Sequence, residues 1–280
     1  MRYRACAALA LAGALVACGG SDDPATGPGG PGNTGPTGLG SGQVVVEGDN
    51  LATRVEFDAT NNTLIVESIP FDDDAFEGRY TRTPALDRGT YEAYTSTNGD
   101  DTYVAYYDTS TSGSVYSAVL ATGDYLDHGF AGATYGREGN VTLPSSTQRV
   151  TYSGNYVGLR TTQGNAPGVD TIQGTANLEA DFSDNTVRGS ITGRTVVAGG
   201  TTNQGGTGET SAGTDIVLAN GALDRTDGTF TGVANETDGG LGGTGTYEGI
   251  VGAGDASEIA GVMIITAGDL RETGSFIATE

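Results

Sequence analysis

The chain has 280 residues, 48 of them glycine, and sets 13 arginines against 35 acidic side chains for a net charge of −22. That length suits two ordinary domains, and the negative balance repels phosphate backbones and anionic lipids, so neither nucleic acid nor a polybasic membrane contact is expected. Lysine is absent and histidine occurs once, which removes the P-loop, lysine nucleophiles and histidine-rich zinc sites.

Arg2 and Arg4 precede an apolar run from Ala5 to Val16, the layout of an export signal. As a helix the run spans about 18 Å, short of the roughly 30 Å hydrocarbon core, so residues 1–17 are expected to be a removed signal and not a permanent span. Leu15, Val16, Ala17 and Cys18 resemble the bacterial lipobox. The resemblance implies that Cys18 becomes the lipidated first residue and anchors the chain to a membrane. Gly19, where aspartate typically holds lipoproteins at the inner membrane, points by the same resemblance to the outer membrane. Loss of Arg2, Arg4 and Cys6 would reduce the 13 arginines to 11 against 35 acids, a net charge of −24, and leave no cysteine pair for a disulfide. Residues 18–42 continue GGSDDPATGPGGPGNTGPTGLGSG after the cysteine, too polar to offset the entropy of ordering. They read as a flexible tether of about 27 Å.

From Gln43 onward, short alternating runs separated by Gly, Asn and Asp recur without a capped helical period, so the protein is expected to be all-β. Residues 43–149 read as a second β-rich domain. In RVEFDATNNTLIVES, Val55 and Phe57 should meet Leu64 and Val66 across a turn at Asn61 and Asn62. Nine of the 13 tyrosines fall between Tyr80 and Tyr135. The boundary is placed in GNVTLPSSTQ, residues 139–148.

Residues 150–280 carry strand candidates near 151–160, 174–183, 186–195, 212–220, 228–235, 245–251, 258–267 and 272–279. In TANLEADF, Ala176, Leu178, Ala180 and Phe182 share one face while Thr175, Asn177, Glu179 and Asp181 share the other. Ser183, Asp184 and Asn185 supply the turn, and Val187, Gly189 and Ile191 resume the apolar face. Eight antiparallel strands suit an up-and-down barrel, whose closure removes the edges of an open sheet. A polar face of Asn, Glu and Asp does not match lipid, so a soluble eight-stranded antiparallel β-barrel filled by its own side chains is expected.

The succession YSGNYVG, ANLEADFSDNTVRGSITG, GTFTG, GTYEGIVGAGDASEIAGVMII and GSFIATE resembles the β-barrel domain of transferrin-binding protein B-like surface lipoproteins. Tyr152, Gly154, Tyr156 and Gly158 match its opening, Asp181 and Phe182 its apolar-Asp-Phe strand, and Tyr247, Gly249, Glu258 and Gly261 its late glycine-rich pair. The resemblance covers residues 150–280 and implies an outer-membrane lipoprotein, often displayed on the cell surface, that captures a protein or an iron- or haem-bearing nutrient without catalysis. The chain has room for one handle and barrel lobe, with short inter-strand segments, and no transferrin-contact residue carries over.

Candidate sites are few. Tyr103, Tyr106, Tyr107, Tyr116 and Tyr125 offer rigid aromatic area for a partner, although tyrosine also packs across neighbouring strands. His128, near Tyr125, is the one side chain for haem ligation, or simply a loop residue; no other cofactor is expected. The acidic runs at 72–74 and 98–101 lack the EF-hand spacing, and GLGGTG at 240–245 has no following helix to cradle a phosphate. No G-x-S-x-G elbow surrounds a serine. A carboxylate pair for glycoside hydrolysis is open among so many acids, but no enzyme is expected. A monomer held by its Cys18 lipid is the reading, with a structural or adhesive surface lipoprotein lacking a small ligand as the alternative.

Overall fold

The structure is a computed structural model, and it describes residues 43–45, 54–67, 77–98, 101–122, 131–145, 147–163, 168–197, 211–252 and 254–280. Among the described residues the regular elements are strands, save one 3-10 turn at Pro84–Leu86. The first eight are β1 (Gln43–Val45), β2 (Arg54–Asp58), β3 (Thr63–Glu67), β4 (Glu77–Arg82), β5 (Glu92–Asn98), β6 (Asp101–Thr109), β7 (Val115–Ala121) and β8 (Ala131–Arg137). They form one sheet, a meander from β2 to β8 with β1 returning beside β8. The expected first hairpin forms in its expected register, with Val55 opposite Val66 and Phe57 opposite Leu64. Its turn places Asn62 at φ 51°, a conformation asparagine tolerates, and the Asp58 carboxylate accepts the backbone N–H groups of Thr60 and Asn61.

The second half is a closed barrel of β9 (Arg149–Thr162), β10 (Val169–Asp181), β11 (Thr186–Val197), β12 (Ile216–Leu223), β13 (Thr229–Glu236), β14 (Thr244–Val251), β15 (Glu258–Ala267) and β16 (Leu270–Thr279). Each of the eight strand candidates corresponds to one of these. Strands β9 and β10 run longer than the alternation suggested. The reason is visible along β9, where residues alternate in burial up to Ser153 and are then buried continuously from Tyr156 to Thr161. One end of β9 has a wet outer face, while at the other Val157 and Leu159 face the sheet. A strand covered on both sides loses its period-two signature.

Ala176, Leu178, Ala180 and Phe182 point into the barrel with Val187 and Ile191, as the sequence predicted. Asp181, expected on the solvent side, is only 5 % exposed. Its carboxylate accepts the Ser183 and Asp184 N–H groups and pairs with Arg149 at 2.6 Å, so the acid organises the β10–β11 turn.

The interior is filled. Inward rings lie over inward glycines: Tyr156 over Gly158 and Gly274, Tyr247 over Gly232, Phe230 over Gly249 and Phe276 over Gly261. An eight-stranded barrel is just wide enough for such alternation of large and small residues. Apart from one charged end, the interior is apolar and the wet outer face polar, the reverse of a lipid-spanning barrel. At the tight-turn end, Val141 and Leu143 of the connector pack against this core, and Arg225 donates to the carbonyls of Phe182 and Pro144, both at 2.8 Å.

The sheet lies against the barrel wall. Tyr91, Val104, Tyr106, Val119 and Tyr135 from the sheet share one cluster with Val157, Leu159, Val169, Ile250 and Val262 from the barrel. Within it the Tyr91 hydroxyl lies 3.0 Å from both Ser117 and Ser275. Hydroxyls of Ser110, Ser112 and Ser114, in the β6–β7 turn, all donate to Glu258 at the start of β15.

Candidate functional site

Four tyrosines considered for a partner surface lie in cores. Tyr103, Tyr106, Tyr107 and Tyr116 are at most 5 % exposed. Tyr106 belongs to the seam with the barrel, whereas Tyr103, Tyr107 and Tyr116 pack on the opposite face of the sheet with Leu64, Tyr80 and Tyr94. Phe57 stacks on Tyr107 with ring centroids 4.7 Å apart, the offset geometry that aromatic pairs favour. Burial pushes the Tyr107 and Tyr116 hydroxyls well above their ordinary pKa. The correction is physical: the rings alternate onto both covered faces of the sheet, leaving none of these four free for a partner. Cys18, Tyr125, His128 and the acidic run at 72–74 lie outside the described residues, as do residues 99–100 of the second run.

The strongest polar arrangement is one that strand alternation hid. At the barrel end opposite the connector, Arg160 of β9, Asp170 of β10, Arg194 of β11, Glu236 of β13 and Glu272 of β16 turn inward. Their side chains are only 2–3 % exposed. Arg160 shares the parity of Tyr152 and Tyr156, so its direction follows from the strand period. Arg194 does not share that of Val187 and Ile191. The register between β10 and β11 slips where Gln173 pairs with Thr195 but Thr175 with Thr192. Gly193 takes φ 62° there, a bulge that re-aims the next side chain into the barrel.

Arg194 reaches Glu236 at 2.9 Å and Glu272 at 2.5 Å, and also the Thr214 carbonyl at 2.5 Å. Arg160 contacts Asp170 at 3.3 Å and the Ser211 carbonyl at 2.8 Å. Glu236 accepts the Gly243 N–H at 3.0 Å, and the Tyr156 hydroxyl donates to Glu272 at 2.6 Å. Burial alone would lower the pKa of Arg194, but Glu272, Tyr156 and Glu236 hold it above the ordinary guanidinium range. Burial, and then Glu272, push the Tyr156 hydroxyl up. The set is a floor: Arg160, Arg194 and Glu236 each also hold a loop at this end of the barrel, at Ser211, Thr214 and Gly243 respectively. Paired and sealed from solvent, these groups position loops and offer no exposed acid or base for chemistry on a substrate.

Two recesses open on the outside. One of about 700 Å³ crosses the outer face of β9 to β12, between Ser153, Asn177, Glu179, Arg188, Val217 and Asn220. Its polar groups form a ladder, Ser153 to Asn177 at 3.1 Å and Asn177 to Thr192 at 3.2 Å, and Arg188 meets Glu179 at 2.8 Å. From inside, the Tyr247 hydroxyl seals this wall against the carbonyls of Val187 and Ala219, both at 2.6 Å. The other, about 730 Å³, lies between Tyr135 of the sheet and Asp224, Arg225, Thr229 and Glu248 of the barrel. Among the described residues no three His, Cys, Asp or Glu side chains group to hold a metal.

No family model matches this sequence, and no curated protein matches it. Solved structures do. An intact transferrin-binding protein B with its N and C lobes matches at 15 % identity over 69 % of this chain and 39 % of its own, TM-score 0.43. A double mutant of transferrin-binding protein B from Haemophilus parasuis matches at 13 % identity over 80 % of this chain and 43 % of its own, TM-score 0.45. A mutant of the Actinobacillus pleuropneumoniae protein matches at 18 % identity over 61 % and 78 %, TM-score 0.38. The chain thus spans 39 % and 43 % of the first two.

Proposed function

We propose that this chain is a lipid-anchored lipoprotein of the outer membrane, displayed at the cell surface, that captures a protein or an iron- or haem-bearing nutrient without catalysis. Residues 1–17 would be its signal, Cys18 its anchor, 18–42 its tether, 43–149 its handle-like domain and 150–280 its barrel. The observation that carries the reading is the conjunction, in one chain, of the Leu15 to Cys18 motif, a glycine- and proline-rich tether, and a sheet packed on a closed barrel whose Tyr152, Tyr156 and Tyr247 motifs line the interior. A tether of about 27 Å lets such a lobe meet a partner while its lipid stays in the bilayer. The partner would be a protein or nutrient outside the cell, met by a monomer.

Anchoring is tested by labelled palmitate. Cells producing the wild-type chain should incorporate label, and Cys18→Ala should lose it entirely; equal label in both would remove the anchor from the reading. Protease treatment of intact cells should degrade the wild-type chain if it is displayed outside. Capture is tested with the full-length protein in detergent, by haemin titration followed at the Soret band and by pull-down of iron-carrying host proteins. A saturable haemin shift weakened by His128→Ala would define the ligand as haem. Loss of cell attachment on deletion, with nutrient uptake unchanged, would favour the adhesive alternative.

A further inference from the structure

Arginine carries five N–H donors in a rigid fork and no acceptor, so a guanidinium taken into a barrel must find an acceptor for each or leave them orphaned in a low-dielectric interior. Arg160, whose side chain is 2 % exposed, satisfies only Nη2, through Asp170 and the Ser211 carbonyl. Its Nε and Nη1 have no partner, and neither does Nε of Arg194. Both arginines line one small cavity with Glu236 and Glu272, and Leu241, Ile265 and Leu270 are among its other lining residues. The cavity leaves about 10 Å³ for the centre of a water-sized sphere, close to the roughly 10–15 Å³ that one water needs.

We propose that this cavity is a binding site for a single buried water molecule, which accepts from Nε or Nη1 of Arg160 and from Nε of Arg194 and donates to Glu236 or Glu272. The charge count selects water over an ion. Three carboxylates, Asp170, Glu236 and Glu272, already outnumber two guanidiniums, so a halide would add negative charge to a net negative cluster, and a cation would face orphaned donors. Vacancy is equally disfavoured, because dry cavities are apolar ones. The water completes the floor beneath the Ser211, Thr214 and Gly243 loops, joining Arg160 of β9 to Arg194 of β11, the two strands that flank β10.

The test is a high-resolution crystal structure of the full chain, with one crystal soaked in bromide. The expected result is one ordered peak within about 3.2 Å of Arg160 Nε or Nη1, with no anomalous bromide signal. An empty cavity, direct protein partners for those nitrogens, or a bromide peak would each overturn the proposal. In solution, oxygen-17 relaxation dispersion should count one fewer long-residence water in Arg160→Met than in the wild type, and an unchanged count in the folded variant would also overturn it. If that variant does not fold, the wild-type crystal decides alone.

Discussion

Two carboxylates at the seam between sheet and barrel respond to pH in opposite senses. Asp108 is 8 % exposed and accepts from the Thr90 hydroxyl at 2.5 Å, and Thr90 in turn accepts from Asn155 of the barrel at 3.1 Å. Burial pushes Asp108 up to about 6, against the Thr90 hydrogen bond. A carboxyl raised in the folded state favours folding most below its unfolded pKa, and that contribution is lost as pH rises from about 4 to about 6. Asp108→Asn should therefore gain about 2 kcal/mol relative to wild type between pH 4 and pH 7, measured by urea unfolding at both pH values. Glu258 behaves in reverse. Burial alone would raise it, but the hydroxyls of Ser110, Ser112 and Ser114 lower it overall. Its contribution is present at neutral pH and lost as pH falls through its lowered pKa. Glu258→Gln should cost about 1–3 kcal/mol at pH 7 and progressively less as pH falls below the ordinary carboxylate range, read in the same unfolding experiment.

Within the barrel, several strands are tuned by the fit of rings to glycines. A Cβ at Gly274 would meet the Tyr156 ring and hydroxyl, and one at Gly232 the Tyr247 ring. Gly274→Ala should cost about 1–3 kcal/mol through overpacking, seen as a lowered urea midpoint with an unchanged slope, and stability equal to wild type would refute the fit. The Tyr156 and Gly158 spacing is thus a packing pattern, legible because both residues lie at even spacing on one strand face. The bulge at Gly193 was not legible. Glycine-arginine in ITGRTVV fits an exposed strand equally well, and only the slip in pairing with β10 turns Arg194 inward. Arg160 could have been read from its parity with Tyr156, but a charged residue on an apolar face makes sense only once Asp170 and the loop carbonyl are seen beside it.

At the scale of the molecule, sheet and barrel share one apolar seam, so they should unfold together. Full-length protein is expected to show one calorimetric transition with equal calorimetric and van't Hoff enthalpies. The fragment from Arg149 to Glu280 would expose Val157, Leu159, Ile250 and Val262, which the sheet covers in the whole chain. Such a patch favours association. The fragment should melt lower than the whole chain and elute as oligomers on size exclusion; a monomeric fragment of undiminished stability would show the seam to be dispensable.

The sequence by itself determined the all-β class, the first hairpin and its register, and eight barrel strands with the inward residues of two of them, because period-two alternation and turn residues are local. The expectation of a lipidated Cys18 and a flexible tether rests likewise on patterns of contiguous residues. Only the tertiary structure decided where the sheet lies, which strands lose alternation beneath it, that Tyr103, Tyr106, Tyr107 and Tyr116 are core, and that five charged side chains meet inside one barrel end. Those facts depend on residues far apart in the chain, such as Ser110 with Glu258 and Arg194 with Glu272. Their contacts arise from strand closure and domain packing, which no short stretch of sequence encodes.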